Sequence, residues 1–126
     1  MEKIEKIKNE KELQKYEKHY TEEGFWEKVK SVAKKAGCEV IEKALTLYYL
    51  ASSSKVPMKD KILIFAGLGY FILPIDIVPD LTPISGYSDD LAVFLFILSK
   101  LDEYIDDEIK QKAKNKLNEI FDGGCK

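Results

Sequence analysis

Between Ile62 and Ser99 the chain carries no charge except four aspartates, Asp76, Asp80, Asp89 and Asp90, and three prolines, Pro74, Pro79 and Pro83, interrupt the middle of that stretch. Proline lacks a backbone N–H and fixes φ, so prolines this closely spaced rule out regular structure beyond a single turn. Neither flank alternates apolar with polar residues at period two, so neither reads as a strand. The stretch therefore predicts two apolar helices joined by an acidic, proline-punctuated turn. Helices of that kind must bury themselves against other helices.

The rest of the chain supplies those partners. Glu2 to Tyr20 reads as a helix of Lys and Glu with a thin apolar stripe at Ile4, Ile7, Leu13, Tyr16 and Tyr20; its first half should fray and its tyrosines should dock. Thr21 is a good N-cap, followed by Glu22 and Glu23 where the helix dipole favours negative charge. Phe25, Trp26, Val29, Val32, Ala33 and Ala36 make a helical stripe whose phase resumes after Gly37 at Val40, Ile41, Ala44, Leu45, Leu47, Tyr48 and Ala51. One long helix, bent at the glycine and ended by Ser52–Ser53–Ser54, is the simplest reading.

Pro57 suits the first turn of the next helix, Met58 to about Leu73, where Ala66, Gly67 and Gly69 form a small-residue patch fit for close approach of another helix. Ser88 reads as the cap of a helix opening with Asp89 and Asp90 and running to about Tyr104 or Ile105. Its wholly apolar Leu91–Leu98 marks it as the expected central helix. A last helix begins in Asp106–Asp107–Glu108, carries Ile109, Ala113, Leu117, Ile120 and Phe121 on one face, and stops at Gly123–Gly124. The expected fold is all-α, a small bundle of about four to five helices. Residues 1–20 are its charged N-terminal helix, 21–122 its single domain and 123–126 a tail.

Composition narrows the function. Apolar residues are 45% of the chain and charged ones 33%, enough apolar surface for one core and too much for a disordered chain. The net charge is −2 and every basic residue is lysine. Planar two-pronged recognition of phosphate or guanine is normally an arginine task, so no nucleic-acid partner is expected. Cys38 and Cys125 are far apart, with the second in the tail. Their spacing suggests neither a metal motif nor a disulfide framework, and a reducing, cytoplasmic setting fits.

Two readings of the acidic turn stay open. In one, the carboxylates cap helices and complement their dipoles. In the other, Asp76, Asp80, Asp89 and Asp90 bind a hard divalent cation, Mg²⁺, Ca²⁺ or Mn²⁺, because carboxylates gathered beside an apolar core repel unless solvated, protonated or bridged. The spacing matches no calcium-loop pattern.

Tyr70, Phe71, Pro74, Asp76, Pro79 and Asp80, followed by Gly86, Tyr87, Asp89 and Asp90, reproduce a Tyr-Phe-x-x-Pro-x-Asp-x-x-Pro-Asp run and a Gly-Tyr-x-Asp-Asp run. In these residues the chain resembles the bacterial YkvA-like family, the DUF1232 domain of unknown function, over roughly residues 45–98. Ser88 departs from the apolar residue common in relatives. The resemblance implies a short helical domain often described as membrane-associated, with no established activity.

Ile62 to Ile75 is uncharged but shorter than the roughly 20 residues that a spanning helix needs. A re-entrant hairpin would carry Asp76 and Asp80 into lipid, which is costly. Lone His19 has no nucleophile in recognisable relation to it, and no glycine-rich phosphate loop follows a strand. The reading favours a non-catalytic interaction or scaffold module that needs no cofactor. A membrane surface or a protein is its expected kind of partner, and a small cation-binding protein is the alternative.

Overall fold

Thr21 opens the first helix as expected: in the computed structural model its Oγ1 accepts from the Gly24 N–H at 2.9 Å. The structure describes residues 17–72 and 88–122, with the backbone alone at 34, 35 and 88–90. Five α-helices lie among these residues: α1 (Glu22–Ala36), α2 (Cys38–Ala51), α3 (Met58–Ile72), α4 (Ser88–Lys100) and α5 (Asp107–Ile120). The described residues are predominantly helical and contain no strand, so the fold is a small all-α bundle.

Two expectations are corrected. The stripe across Gly37 belongs to two helices rather than one bent helix. Gly37 has φ 90° and ψ 166°, far from helical values and in a region open mainly to glycine. Its N–H still closes α1 on Ala33 O at 3.0 Å, and its carbonyl accepts from Ile41 as α2 begins. A stripe that keeps phase across a break looks continuous in sequence, because only the backbone changes direction.

Of the expected N-terminal helix only the last residues are described. Residues 17–19 form a 3-10 turn, and residues 1–16 lie outside the described part. Tyr20 does dock, its ring centroid 4.8 Å from that of Phe65.

The centre of the bundle is held by α2 and α3 rather than α4, and α2 packs against all four other α-helices. On α3, Leu63, Ile64, Ala66, Gly67, Leu68, Gly69, Tyr70 and Phe71 are all buried. The helix packs against α1, α2, α4 and the 3-10 turn before Tyr20. On α4, Val93, Phe94, Ile97 and Leu98 are buried while Leu95 is 44% exposed. That helix ends at Lys100, earlier than expected, and a 3-10 turn over Asp102–Tyr104 follows.

Other boundaries agree. The helix α2 ends at Ala51 before Ser52. Pro57 lies just ahead of α3, its carbonyl accepting from Asp60 and Lys61 at 3.0 Å. Asp106 caps α5, its carboxylate accepting from the Ile109 N–H at 2.9 Å, and Ile109, Ala113 and Leu117 are buried.

The small-residue patch is used as its composition suggests. A Cβ at Gly67 would collide with Ile97 Cδ1, and Val93 Cγ1 would lie 3.7 Å away. Phe71 meets Phe94 edge-on at 5.6 Å between centroids. Gly67 against Ile97 and Phe71 against Phe94 set α3 and α4 antiparallel.

The cysteine reading is also corrected, since Cys38 is disulfide-bonded. Separation along the chain carries no information about separation in a folded bundle.

Candidate functional site

The antiparallel pairing brings the last turn of α3 and the first turn of α4 to one end of the bundle. The first turn of α1 joins them there. A Cβ on Gly24 would lie 3.5 Å from Ile72 Cγ2, and Phe25 is 6.2 Å from Phe71 between centroids. Two helix N-termini, those of α1 and α4, therefore gather at the end where the acidic turn leaves and returns. Helix N-termini carry partial positive charge, so this is the end of the bundle that carboxylates favour.

The first two motif residues are core residues. Tyr70 is buried and Phe71 is only 1% exposed, held among Phe25, Phe94 and the Lys28 ammonium 5.8 Å above its ring. Asp89 and Asp90 lie in the first turn of α4. That helix includes Ser88 as its first residue, so the boundary lies one residue earlier than the capping reading put it. Pro74, Asp76, Pro79, Asp80, Gly86 and Tyr87 fall outside the described residues. Among the described residues no three His, Cys, Asp or Glu side chains are grouped to hold a metal ion.

Beside this end lies an aromatic cluster with a polar edge. The Tyr48 hydroxyl donates to Glu22 Oε2 at 2.7 Å, and the Trp26 indole N–H donates to the Tyr48 oxygen. Tyr48 stacks on Phe25 at 5.0 Å with an interplanar angle of 4°. Burial, then the hydrogen bond to Glu22, push the Tyr48 phenol up. Burial, then neighbouring Tyr48 and Glu22, raise Tyr20 to about 12. Both phenols stay protonated and serve as hydrogen-bonding core groups. Sequence reading placed Phe25 and Trp26 in the core but missed the Glu22–Tyr48 bond, which joins residues 26 positions apart.

Two surface features were also missed. The outward side of α4 is apolar, with Leu95 exposed beside partly buried Leu91, Ala92 and Phe96, and the Lys100 ammonium lies 5.4 Å over the Phe96 ring. Between α1 and α5 runs an open groove of about 700 Å³, floored by Trp26, Val29, Ala33, Ile120 and Phe121, with Lys30 and Lys116 among its walls. Lys116 lies 5.4 Å over the Trp26 ring and pairs with Glu119 at 3.1 Å. No described helix is long and apolar enough to cross a membrane.

An all-α bundle with a Pro- and Asp-rich connection between its two most apolar helices is the class these features define. Residues 60–96, from α3 through most of α4, match the family model described as a protein of unknown function, DUF1232, which supports the resemblance drawn from the motif. No curated protein and no solved structure matches the chain.

Proposed function

We propose that this chain is a non-catalytic interaction module whose contact surface is the outward face of α4 together with the acidic turn that precedes it. One observation carries the reading. Leu95 stands 44% exposed on a helix whose Leu91, Ala92 and Phe96 are only partly buried, directly after the family motif. A solvated helix face ordinarily carries charge, and an outward apolar stripe is suited to a protein face or a lipid surface. Lys100 at the end of the stripe suits the anionic headgroups of a cytoplasmic leaflet. In this reading Tyr70 and Phe71 anchor the motif in the core, and the motif acids serve the helix N-termini gathered at that end.

The test is Leu95→Glu. The variant is expected to unfold within a few degrees of wild type and to lose flotation with vesicles of anionic phospholipid. Wild-type protein that never floats with such vesicles, or a variant that floats equally well, would count against the lipid surface as partner.

A second reading is supported by the antiparallel hairpin, which brings the two ends of the acidic turn together. Asp76, Asp80, Asp89 and Asp90 would then share a hard cation, Mg²⁺, Ca²⁺ or Mn²⁺, bound through oxygen alone.

A further inference from the structure

We propose that the groove between α1 and α5 is a docking site for an amphipathic helix of a partner protein, one whose apolar stripe has acidic residues along one flank and basic residues along the other. The site is separate from the outward face of α4, since no residue of α4 lines the groove. Its direction follows from the packing. Tyr48, near the end of α2, stacks on Phe25, near the start of α1, so these two helices run antiparallel. Lys55, just beyond α2, pairs with Asp106 at the start of α5 at 3.1 Å, so α5 is antiparallel to α2 as well. Both pack against α2, and α1 and α5 therefore run parallel with the groove between them. A helix laid there antiparallel to both walls continues the up-and-down order of a bundle.

The size and openness of the groove favour a helix over a small molecule. Trp26 and Ala33, both on the α1 wall, stand two helical turns apart, roughly 10 Å at the usual rise per residue. Anchors at positions i, i+3, i+4 and i+7 of a partner helix cover the same length. The groove holds about 700 Å³ and is open to solvent. A small-molecule site buries most of its ligand, which an open groove does not do, whereas a docked helix needs only one face covered. Trp26, Ile120 and Phe121 are only partly buried in the isolated chain, and large aromatic side chains are frequent anchors of protein interfaces.

The charges identify the flanks. Lys116 belongs to the wall: it lies 5.4 Å over the Trp26 ring and pairs with Glu119 at 3.1 Å, so those two charges offset each other. Lys30 on α1 and Asp122 just beyond α5 are the other two charged residues of the groove. Both are exposed, and among the described residues neither takes part in an ion pair. A partner helix with carboxylates toward Lys30 and an ammonium toward Asp122 complements both. In the antiparallel orientation the partner's N-terminus, which carries partial positive charge, also comes to the Asp122 end.

The experiment titrates the whole chain with a synthetic helical peptide that lacks tryptophan and carries an apolar stripe, Glu on one flank and Lys on the other. Trp26 is the single tryptophan of the chain and lines the groove, so its emission reports occupancy. Wild type should show a saturable change in Trp26 emission by about 100 µM peptide. Lys30→Glu, a change at an exposed position, should bind this peptide about fivefold more weakly and should prefer a second peptide with Lys on both flanks. Leu95→Glu should leave the titration unchanged. No saturable change in wild type, the same ranking of the two peptides by wild type and Lys30→Glu, or loss of binding in Leu95→Glu would overturn the proposal. So would sedimentation showing that the chain dimerises without peptide and that Lys30→Glu disperses the dimer, which would give the groove to a second copy.

Discussion

Thr21 and Phe71 mark the two extremes of what one residue contributes to this bundle. Thr21 is exposed, and its hydroxyl matters because it satisfies the Gly24 N–H at the start of α1. Thr21→Ala should cost about 1 kcal/mol in urea unfolding, whereas Thr21→Ser should be close to neutral. A Thr21→Ala protein as stable as wild type would mean that water replaces the cap at no cost. Such caps are readable in sequence because they depend on residues three apart. Phe71 is different: its helical phase shows that it is buried, but its contacts with Phe25 and Phe94 depend on how three helices cross. The Glu22–Tyr48 bond is hidden for the same reason, since nothing local to Glu22 marks a phenol brought over from α2.

At the scale of elements, α3 and α4 show where helical patterning loses information. The polar residues of an amphipathic helix mark its outer face, and α1 and α5 were read correctly on that basis. The uncharged run of α4 has no polar face to mark, so its sequence could not show that Leu95 points outward. The glycines of α3 were more informative, because small residues inside a helix carry a propensity cost that close packing can offset. Gly67→Ala should therefore destabilise by about 1–3 kcal/mol through overpacking against Ile97. Ile97→Val removes the Cδ1 atom that an alanine would strike, so Gly67→Ala should cost far less in that background. A double-mutant cycle by chemical denaturation measures the coupling; additive effects would show that the crossing relaxes elsewhere.

The junction of α5 with the preceding turn gives a pH dependence. The Ile109 backbone N–H first, and Lys55 second, hold the Asp106 carboxyl below its usual range. A carboxyl lowered on folding stabilises the fold above its unfolded value, about pH 4, and that contribution is lost as pH falls through the folded value. Asp106→Asn keeps a capping side chain but does not titrate. Wild type should be the more stable of the two at neutral pH, with the difference shrinking on acidification. Urea midpoints that differ by the same amount at every pH would contradict this.

For the molecule as a whole, the all-α fold and the position of the motif between two apolar helices were legible, because three prolines and the absence of period-two patterning leave few alternatives. The meeting of the N-termini of α1 and α4 beside the motif was not, since it follows from the antiparallel crossing of α3 and α4 and the close approach of Gly24 to Ile72. The groove likewise belongs to the arrangement of α1 and α5. The central claim is that the motif acids serve this end of the bundle rather than a bound cation. The measurement that tests it most directly is thermal unfolding of the wild type, Asp76→Asn and Asp89→Asn in EDTA and in saturating Mg²⁺, Ca²⁺ or Mn²⁺. A cation at about a hundred times its dissociation constant would stabilise the fold by about 2.7 kcal/mol, several degrees in a chain of this size. The account predicts one wild-type midpoint in all four conditions and lower midpoints for both variants regardless of metal. A cation-dependent rise in the wild type that both variants lose would contradict it and make the turn a metal site.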